Sequence, residues 1–445
     1  MGAWLQGVRF KPMEAKRSTA LRDWFGLVPV LLLGSWRFFQ GGWIGWDCLA
    51  RGRSGAAPSI CVDPYWLNQW LKNYAGGFTK RGLIGELLRH LFPGGLDLLS
   101  LTLVALVLLL FCYGLIYCLV RRVVARSLLF ASLISSLLVL SPLGKVLAET
   151  ALDPLQVCVL LVASVLVTPV RSPWRDGLLL LVFVLSSLVY EGCALLLLPI
   201  VLVLMRPGAW RYLPLVLALL LLLLFQRPDD LGVGQAASAA LQAVNPWTGQ
   251  HIRYQDGGGL AASVGFLFNV KQEFSRYWMD PPRETFSRVC RSLGVVVAYL
   301  LVLLTAMGQG ALPSRRRLLR NWLIFAPFAF PFVLITHDWF RYGVVLLLLA
   351  LLLTAAEAET DDAPVTLRVA WPFARAEVWS LLPISAMVLI GPASSDVRKC
   401  LPHNYFHASL GMLGLAAAVF WLSLRFPGRP VGGEVSLAEQ GDHAD

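Results

Sequence analysis

Apolar runs recur along this chain with few interruptions, and they set the architecture before any single residue is considered. Residues 98–120, 127–143 and 210–225 carry few or no charges, and about 20 apolar residues suffice for a helix to cross a bilayer. A bilayer offers no water to free backbone groups, so runs of this length must be helical. The pattern predicts an all-α, polytopic transmembrane helix bundle of about 12 spans, two of them short helices around Glu191.

Charge between the runs orients them. A basic tail, 1–23, holds Arg9, Lys11, Lys16, Arg17 and Arg22 ahead of a first span at roughly 24–40. No small-residue cleavage site follows, so that span reads as uncleaved. The next span, about 96–120, ends at Arg121, Arg122 and Arg126, and the Lys/Arg excess of cytoplasmic loops places this end inside. Segment 41–95 is then a long outer loop. A span over about 127–145 leads through a short polar turn, Lys145 to Asp153, into its neighbour, and Arg171 and Arg175 mark the inside again. Residues 177–205 read either as one tilted helix or as two short ones broken at Glu191-Gly192. Only the break puts Arg315, Arg316, Arg317 and Arg320 inside with Arg206 and Arg211, and it is preferred for that reason. Further spans fall at about 210–226, 292–310, 321–336, 377–393 and 404–424, with another leading to the acidic loop 357–364. The bundle thus occupies 24–426, with a second outer segment at 227–290. The charged, Gly/Pro-rich tail 427–445 is expected to be disordered and, like the N-terminus, cytoplasmic.

Composition excludes a water-soluble fold: of 445 residues, 57 % are hydrophobic and 15 % charged, with mean hydropathy +0.65. The net charge of +11 invites a nucleic-acid partner, but most basic residues sit in short loops where membrane topology explains them, so none is expected. The eight cysteines form no CxxC pair, which leaves zinc and thioredoxin-type chemistry without support. Cys48 and Cys61 share the first outer loop, which permits a disulfide and equally permits two free thiols. No HExxH or GxSxG signature occurs. No cofactor or metal site is implied, and a divalent metal has no support.

The stretch from Asp63 to Pro93, DPYWLNQWLKNYAGGFTKRGLIGELLRHLFP, is polar, basic and Gly-punctuated in a chain dominated by Leu and Val. Trp66, Leu67, Trp70, Leu71 and Tyr74 recur at helical spacing, as do Leu83, Ile84, Leu87, Leu88 and Leu91. Both halves predict amphipathic helices too short to span, lying along the outer leaflet. Gly76-Gly77 separates them, and Lys80 and Arg81 open the second helix, where backbone N–H groups and two cations suit an anion. The same pair suits lipid headgroups alone. GGFTKRG lacks P-loop spacing, so a nucleotide is not expected. Asp47, Asp63, Glu149, Asp153, Glu191, His337, Asp338 and Arg341 all map to outer ends of spans. Singly each serves as an interfacial anchor; together on one side they point to a polar site. His337 and Asp338 offer proton transfer and Arg341 a phosphate clamp.

This layout resembles that of the GT-C class of integral-membrane glycosyltransferases, carried by the multi-span pattern, the long first outer loop, Asp47, Asp63-Pro-Tyr, the turn Glu149 to Asp153, and Glu191. The stretches GGFTKRGLIG and HDWFRYG are also similar to membrane proteins of bacterial surface-polysaccharide loci. The resemblance implies a bacterial-type inner membrane and transfer of a sugar from a polyprenyl-phosphate-linked donor to a glycan or lipid acceptor on the extracytoplasmic face. It implies Asp63 as catalytic base with Asp47 as the alternative, Lys80, Arg81 or Arg341 on phosphate, and Glu191 or Asp338 on sugar or acceptor. The first loop departs from the class in having no paired Asp-Glu or Asp-Asp. A polysaccharide polymerase or ligase, and a lipid-linked-sugar flippase or transporter, fit the same substrate type.

Overall fold

A computed structural model describes residues 14–40, 70, 83–93, 98–124, 127–167, 172–190, 192–205, 212–214, 216–218, 282–307, 312–335, 339–358, 375–390 and 406–425. Most of these residues are helical, with no strand among them. We number the helices α1 (Glu14–Gln40), α2 (Leu83–Leu91), α3 (Leu98–Leu119, continued by a π-helical turn, Val120–Val124), α4 (Leu128–Leu140), α5 (Pro142–Glu149), α6 (Pro154–Val167), α7 (Ser172–Val189), α8 (Cys193–Leu196), α9 (Leu198–Leu204), α10 (Pro282–Ala306), α11 (Leu312–Ile335), α12 (Trp339–Ala358), α13 (Arg375–Ile390) and α14 (Phe406–Arg425).

Among the described residues, three segments are long and apolar enough to cross a membrane: Leu101–Val124, Val289–Ala306 and Trp339–Glu357. The bent pair α4–α5 makes a fourth if it is taken as one span, and shorter apolar helices surround these. The outward face of the bundle is apolar as well. Phe25, Leu32, Val107 and Phe111 are each half or more exposed on α1 and α3, a surface that suits lipid and not water. The described chain thus has the helical, apolar character of a membrane protein.

One contiguous apolar core joins all the numbered helices, α2 through Ile84. Its centre is α12, buried along its whole apolar segment and packed against α3, α5, α6, α10 and α11. The sequence of α12 explains this position: Leu and Ala continue around all its faces from Val344 to Ala356, which is the composition of a helix enclosed by others. On one flank α1 packs against α3 and α4; on the other, α10 packs against α13 and α14.

Two helix breaks shape the interior. The first lies at Ser141-Pro142. The residue before a proline disfavours the helical region, and Ser141 is extended at φ −75°, ψ 175°. Pro142 then opens α5, where its missing N–H removes nothing from the helix. The axis turns by 60°. Gly144 makes so sharp a bend possible, because a Cβ there would lie 1.9 Å from the Val139 carbonyl oxygen. The span expected over 127–145 therefore ends at Leu140, and the expected polar turn from Lys145 is helical through Glu149. Leu143, Val146 and Leu147, at helical spacing, bury this short helix. The second break separates Val189 from Cys193, where the sequence places the Glu191-Gly192 interruption.

Candidate functional site

The second turn after the Pro142 bend gathers the polar groups. Asp153 caps α6: its Oδ1 accepts the Leu155 N–H at 3.0 Å, with Pro154 in the first helical position. Its Oδ2 faces Arg341 Nη1 at 3.2 Å, with side chains 1 % and 6 % exposed. Arg341 comes from the first turn of α12, and its guanidinium lies 4.7 Å from the centroid of the Tyr342 ring. The Tyr342 hydroxyl is hydrogen-bonded to that of Tyr190, which ties the break after α7 to the same end of α12. Glu149, at the end of α5, has Lys145 at 3.8 Å, one turn back on the same helix.

Neutral groups fasten this turn to the bundle. Gln156 Nε2 donates to the carbonyls of Leu147 and Thr150 at 3.0 and 2.8 Å, closing the turn from the α6 side. The Tyr113 hydroxyl, on α3, donates to the Gly144 carbonyl at 2.8 Å. Tyr299, on α10, donates to Ser141 Oγ at 2.7 Å and accepts the Leu143 N–H at 3.2 Å, so that an orphan donor of the α5 N-terminus is satisfied from another helix. Trp70 Nε1 donates to the Leu152 carbonyl at 2.6 Å. Trp70 is 5 % exposed, so this residue of the first long loop is buried against protein, where its amphipathic pattern predicted contact with lipid.

Arg37 completes the layer. It lies in the last turn of α1, is 7 % exposed, and stands within electrostatic reach of Tyr113, Glu149 and Tyr299. The aromatic face of Tyr113 also fills the space at Gly34, where a Cβ would come within 2.3 Å of the ring, so α1 and α3 meet closely just below Arg37.

A further contact comes from α3. Cys112 Sγ contacts Gln156 Oε1 at 3.6 Å, and Cys112 sits midway along the apolar segment Leu101–Val124. The Glu149–Asp153 turn therefore lies beside the middle of α3 and, through Arg341, at the first turn of α12. The helices on either side are short: α4 has 13 residues and α6 has 14, about 20 Å each against a hydrocarbon core of about 30 Å.

Of the residues singled out from sequence, Asp153 and Arg341 meet directly and Glu149 lies in the same layer. Asp47, Asp63, Lys80, Arg81, Glu191, His337 and Asp338 lie outside the described residues, as do Cys48 and Cys61. The second amphipathic helix of the first loop is present as α2, with an Arg89–Glu86 ion pair at 2.6 Å across one turn. Sequence reasoning missed Arg37, Lys145 and Gln156 as members of the layer. For Arg37 a signal was available, an arginine inside the first apolar run three residues before its end. The described residues contain no group of three or more His, Cys, Asp or Glu placed to hold a metal. Comparison with known proteins found no matching family model, curated protein or solved structure.

Proposed function

We propose that this protein is a membrane glycosyltransferase of GT-C-like organisation, a bundle of about 12 spans in a bacterial-type inner membrane with both termini cytoplasmic. It moves a sugar from a polyprenyl-phosphate-linked donor to a glycan or lipid acceptor on the extracytoplasmic side. The observation that carries the reading is the layer itself. Carboxylates and cations at Glu149, Asp153, Lys145, Arg341 and Arg37 are held in an apolar bundle at a broken helix, with Trp70 of the first long loop seated on the turn. Buried charge in lipid-facing helices marks function by default, and a lipid-borne substrate needs a polar site reachable from the bilayer.

In the proposed reaction the acceptor hydroxyl attacks the anomeric carbon. A new C–O bond forms, the bond from that carbon to the phosphate oxygen breaks, and the hydroxyl proton passes to a carboxylate, with polyprenyl phosphate as leaving group. Asp63 is the proposed base and Asp47 the alternative, with Lys80 and Arg81 on the phosphate. His337, Asp338 and Glu191 are proposed to orient sugar or acceptor. Arg341 is assigned differently from its sequence-based role: with Asp153 at 3.2 Å, it holds the α5–α6 turn to α12. Expression of Asp63→Asn and Asp47→Asn at matched levels, with assay of the glycan product, tests the base. Full activity in both variants removes the assignment. A product ladder in place of single addition would indicate a polymerase.

One observation favours a second reading, translocation of the lipid-linked sugar. Transporters place ionisable groups at mid-depth on broken helices, and the Asp153–Arg341 pair lies beside the middle of α3, next to two such breaks. Flux of a labelled lipid-linked sugar in proteoliposomes without bond formation would select it.

A further inference from the structure

We propose that the end of the bundle away from the Asp153 layer carries an oxyanion site for a phosphate group, built on the first turn of α11 and centred on Arg315. It lies on the same helix as Arg320, whose partner Glu357 ends α12 at the opposite end from Arg341. The site is thus separate from the layer and stands independently of the transferase reading.

Arg315 is 6 % exposed, yet its Nε and Nη1 have no hydrogen-bond partner among the described residues. Arginine keeps its proton in proteins, so this is a buried charge with open donors, and such a group persists only when something offsets its desolvation. The packed elements offset little. Nη2 donates to the Thr305 carbonyl at 3.4 Å, in the last turn of α10, and the guanidinium lies 5.9 Å from the centroid of the Phe420 ring on α14. A helix C-terminus offers about half a negative charge, which accounts for that one bond and leaves Nε and Nη1 open. Burial pushes the guanidinium below its ordinary range, and no charged neighbour among the described residues raises it again. The sequence agrees, since α14 has no Asp or Glu and α10 has none after Glu284. Its own helix adds to the imbalance. The first turn of α11 has no acidic residue, so the positive end of that helix stands beside Arg315 with no carboxylate of its own. A planar guanidinium fork and a helix N-terminus both match phosphate oxygens, and one phosphate would accept from Nε and Nη1 while supplying the missing charge. Two sources can reach this position. Arg316 beside it is exposed, and Leu319 and Leu323, one and two turns further along α11, are 43 % and 55 % exposed. The site thus borders both the open end of the bundle and its apolar outer surface, within reach of a soluble phosphate and of a bilayer headgroup.

The test uses the full chain in neutral maltoside detergent, titrated with inorganic phosphate and, separately, with phosphatidylglycerol in the micelle, against chloride at matched ionic strength. Binding is read directly and by thermal shift. At least one phosphate source is expected to bind and raise the melting temperature, and chloride to leave it unchanged. Binding of inorganic phosphate identifies a soluble anion as the source; binding of phosphatidylglycerol alone identifies a headgroup. In Arg315→Gln the Kd for that source should rise about tenfold or more, while Arg316→Gln, which changes an exposed charge, should alter it far less. Without ligand, Arg315→Gln should melt close to wild type, because its amide keeps a donor for the Thr305 carbonyl and the uncompensated charge is gone. A Kd in Arg315→Gln equal to that of wild type overturns the site, as does binding of neither source. Chloride acting as strongly as phosphate also overturns it, because charge without matched oxygens would then suffice. Should Arg315→Gln fail to fold, Arg315→Lys takes its place, since it keeps the charge and loses the fork. A Kd raised several-fold in that variant upholds the site, and an unchanged one overturns it.

Discussion

The two ends of α12 carry the same chemical pair in opposite surroundings. At one end Arg341 meets Asp153, with both side chains buried to 6 % exposure or less. At the other, Arg320 of α11 pairs with Glu357, with side chains 53 % and 18 % exposed, and Asn321 joins them by donating to Thr354 Oγ1 and Glu357 Oε2 at 3.1 and 3.0 Å. The rise of α12 from Arg341 to Glu357 separates the two pairs by about 24 Å along the helix. The exposed pair is a surface clasp between α11 and the end of α12, and solvent supports either partner if the other is lost. The buried pair has no such alternative. Charge there is tolerable only while every partner is present, so it makes one arrangement of α5, α6 and α12 strongly preferred over others.

The largest break in that comparison is to remove one buried partner. Asp153→Ala or Arg341→Ala should lower stability by about 3–5 kcal/mol, because each leaves an uncompensated charge in the core. Asp153→Ala also removes the cap on Leu155 N–H. A double replacement by apolar residues of similar volume should be less harmful than either single change. Thermal unfolding of the detergent-solubilised chain checks this. Single variants that melt within a degree of wild type would show that the pair is not the anchor its geometry indicates.

Next in size is the bend that delivers the buried layer. Gly144→Ala places a methyl group against the Val139 carbonyl, and backbone cannot yield as a side chain would. A loss of about 3 kcal/mol is expected. Tyr299→Phe is milder. It keeps the ring in place and strands the Leu143 N–H, while Ser141 Oγ loses one donor and still donates to the Leu138 carbonyl at 2.6 Å, for about 2 kcal/mol. Both should raise hydrogen exchange in α5 and leave the Arg320–Glu357 end unchanged, and exchange spread evenly over both ends would contradict a local role.

What could be read from sequence divides along the same line. Apolar runs long enough to span gave α3 and α12 directly, since length and composition are local properties. Asp153, Glu149 and Arg341 were visible because a charged residue in such a chain is conspicuous wherever it falls. Which of them would meet was not, because that depends on where α4 stops. The Ser141-Pro142 dipeptide and Gly144 carried that information, but the polar residues from Lys145 onward drew the turn too far along the chain. Trp70 was recognised as part of an amphipathic pattern, and periodicity alone does not say whether lipid or protein receives the apolar face. Its partner carbonyl is 82 residues away, and the two hydroxyls of the Tyr299–Ser141 bond are 158 residues apart. No window along the sequence contains either contact. Arg37 escaped for a different reason: near the end of an apolar run, an arginine resembles an interfacial flank until its burial is known.

The smallest effect belongs to the exposed end. Glu357→Gln keeps an acceptor for Asn321 and removes the charge facing Arg320, whose side chain is more than half exposed and can turn to water. Exposed pairs contribute less than about 1 kcal/mol, and salt screens them further. The variant should therefore melt close to wild type, and the small difference should shrink as ionic strength rises. The Asp153 variants should show the reverse, a large loss nearly independent of salt, because ions do not reach a pair buried to this degree. Measuring both series across a salt gradient makes the contrast quantitative. If Glu357→Gln proved as damaging as Asp153→Ala, the Arg320 end would have to be as dry as the Arg341 end. The two pairs would then be equivalent clamps, and burial would no longer single out the Asp153 layer as the site.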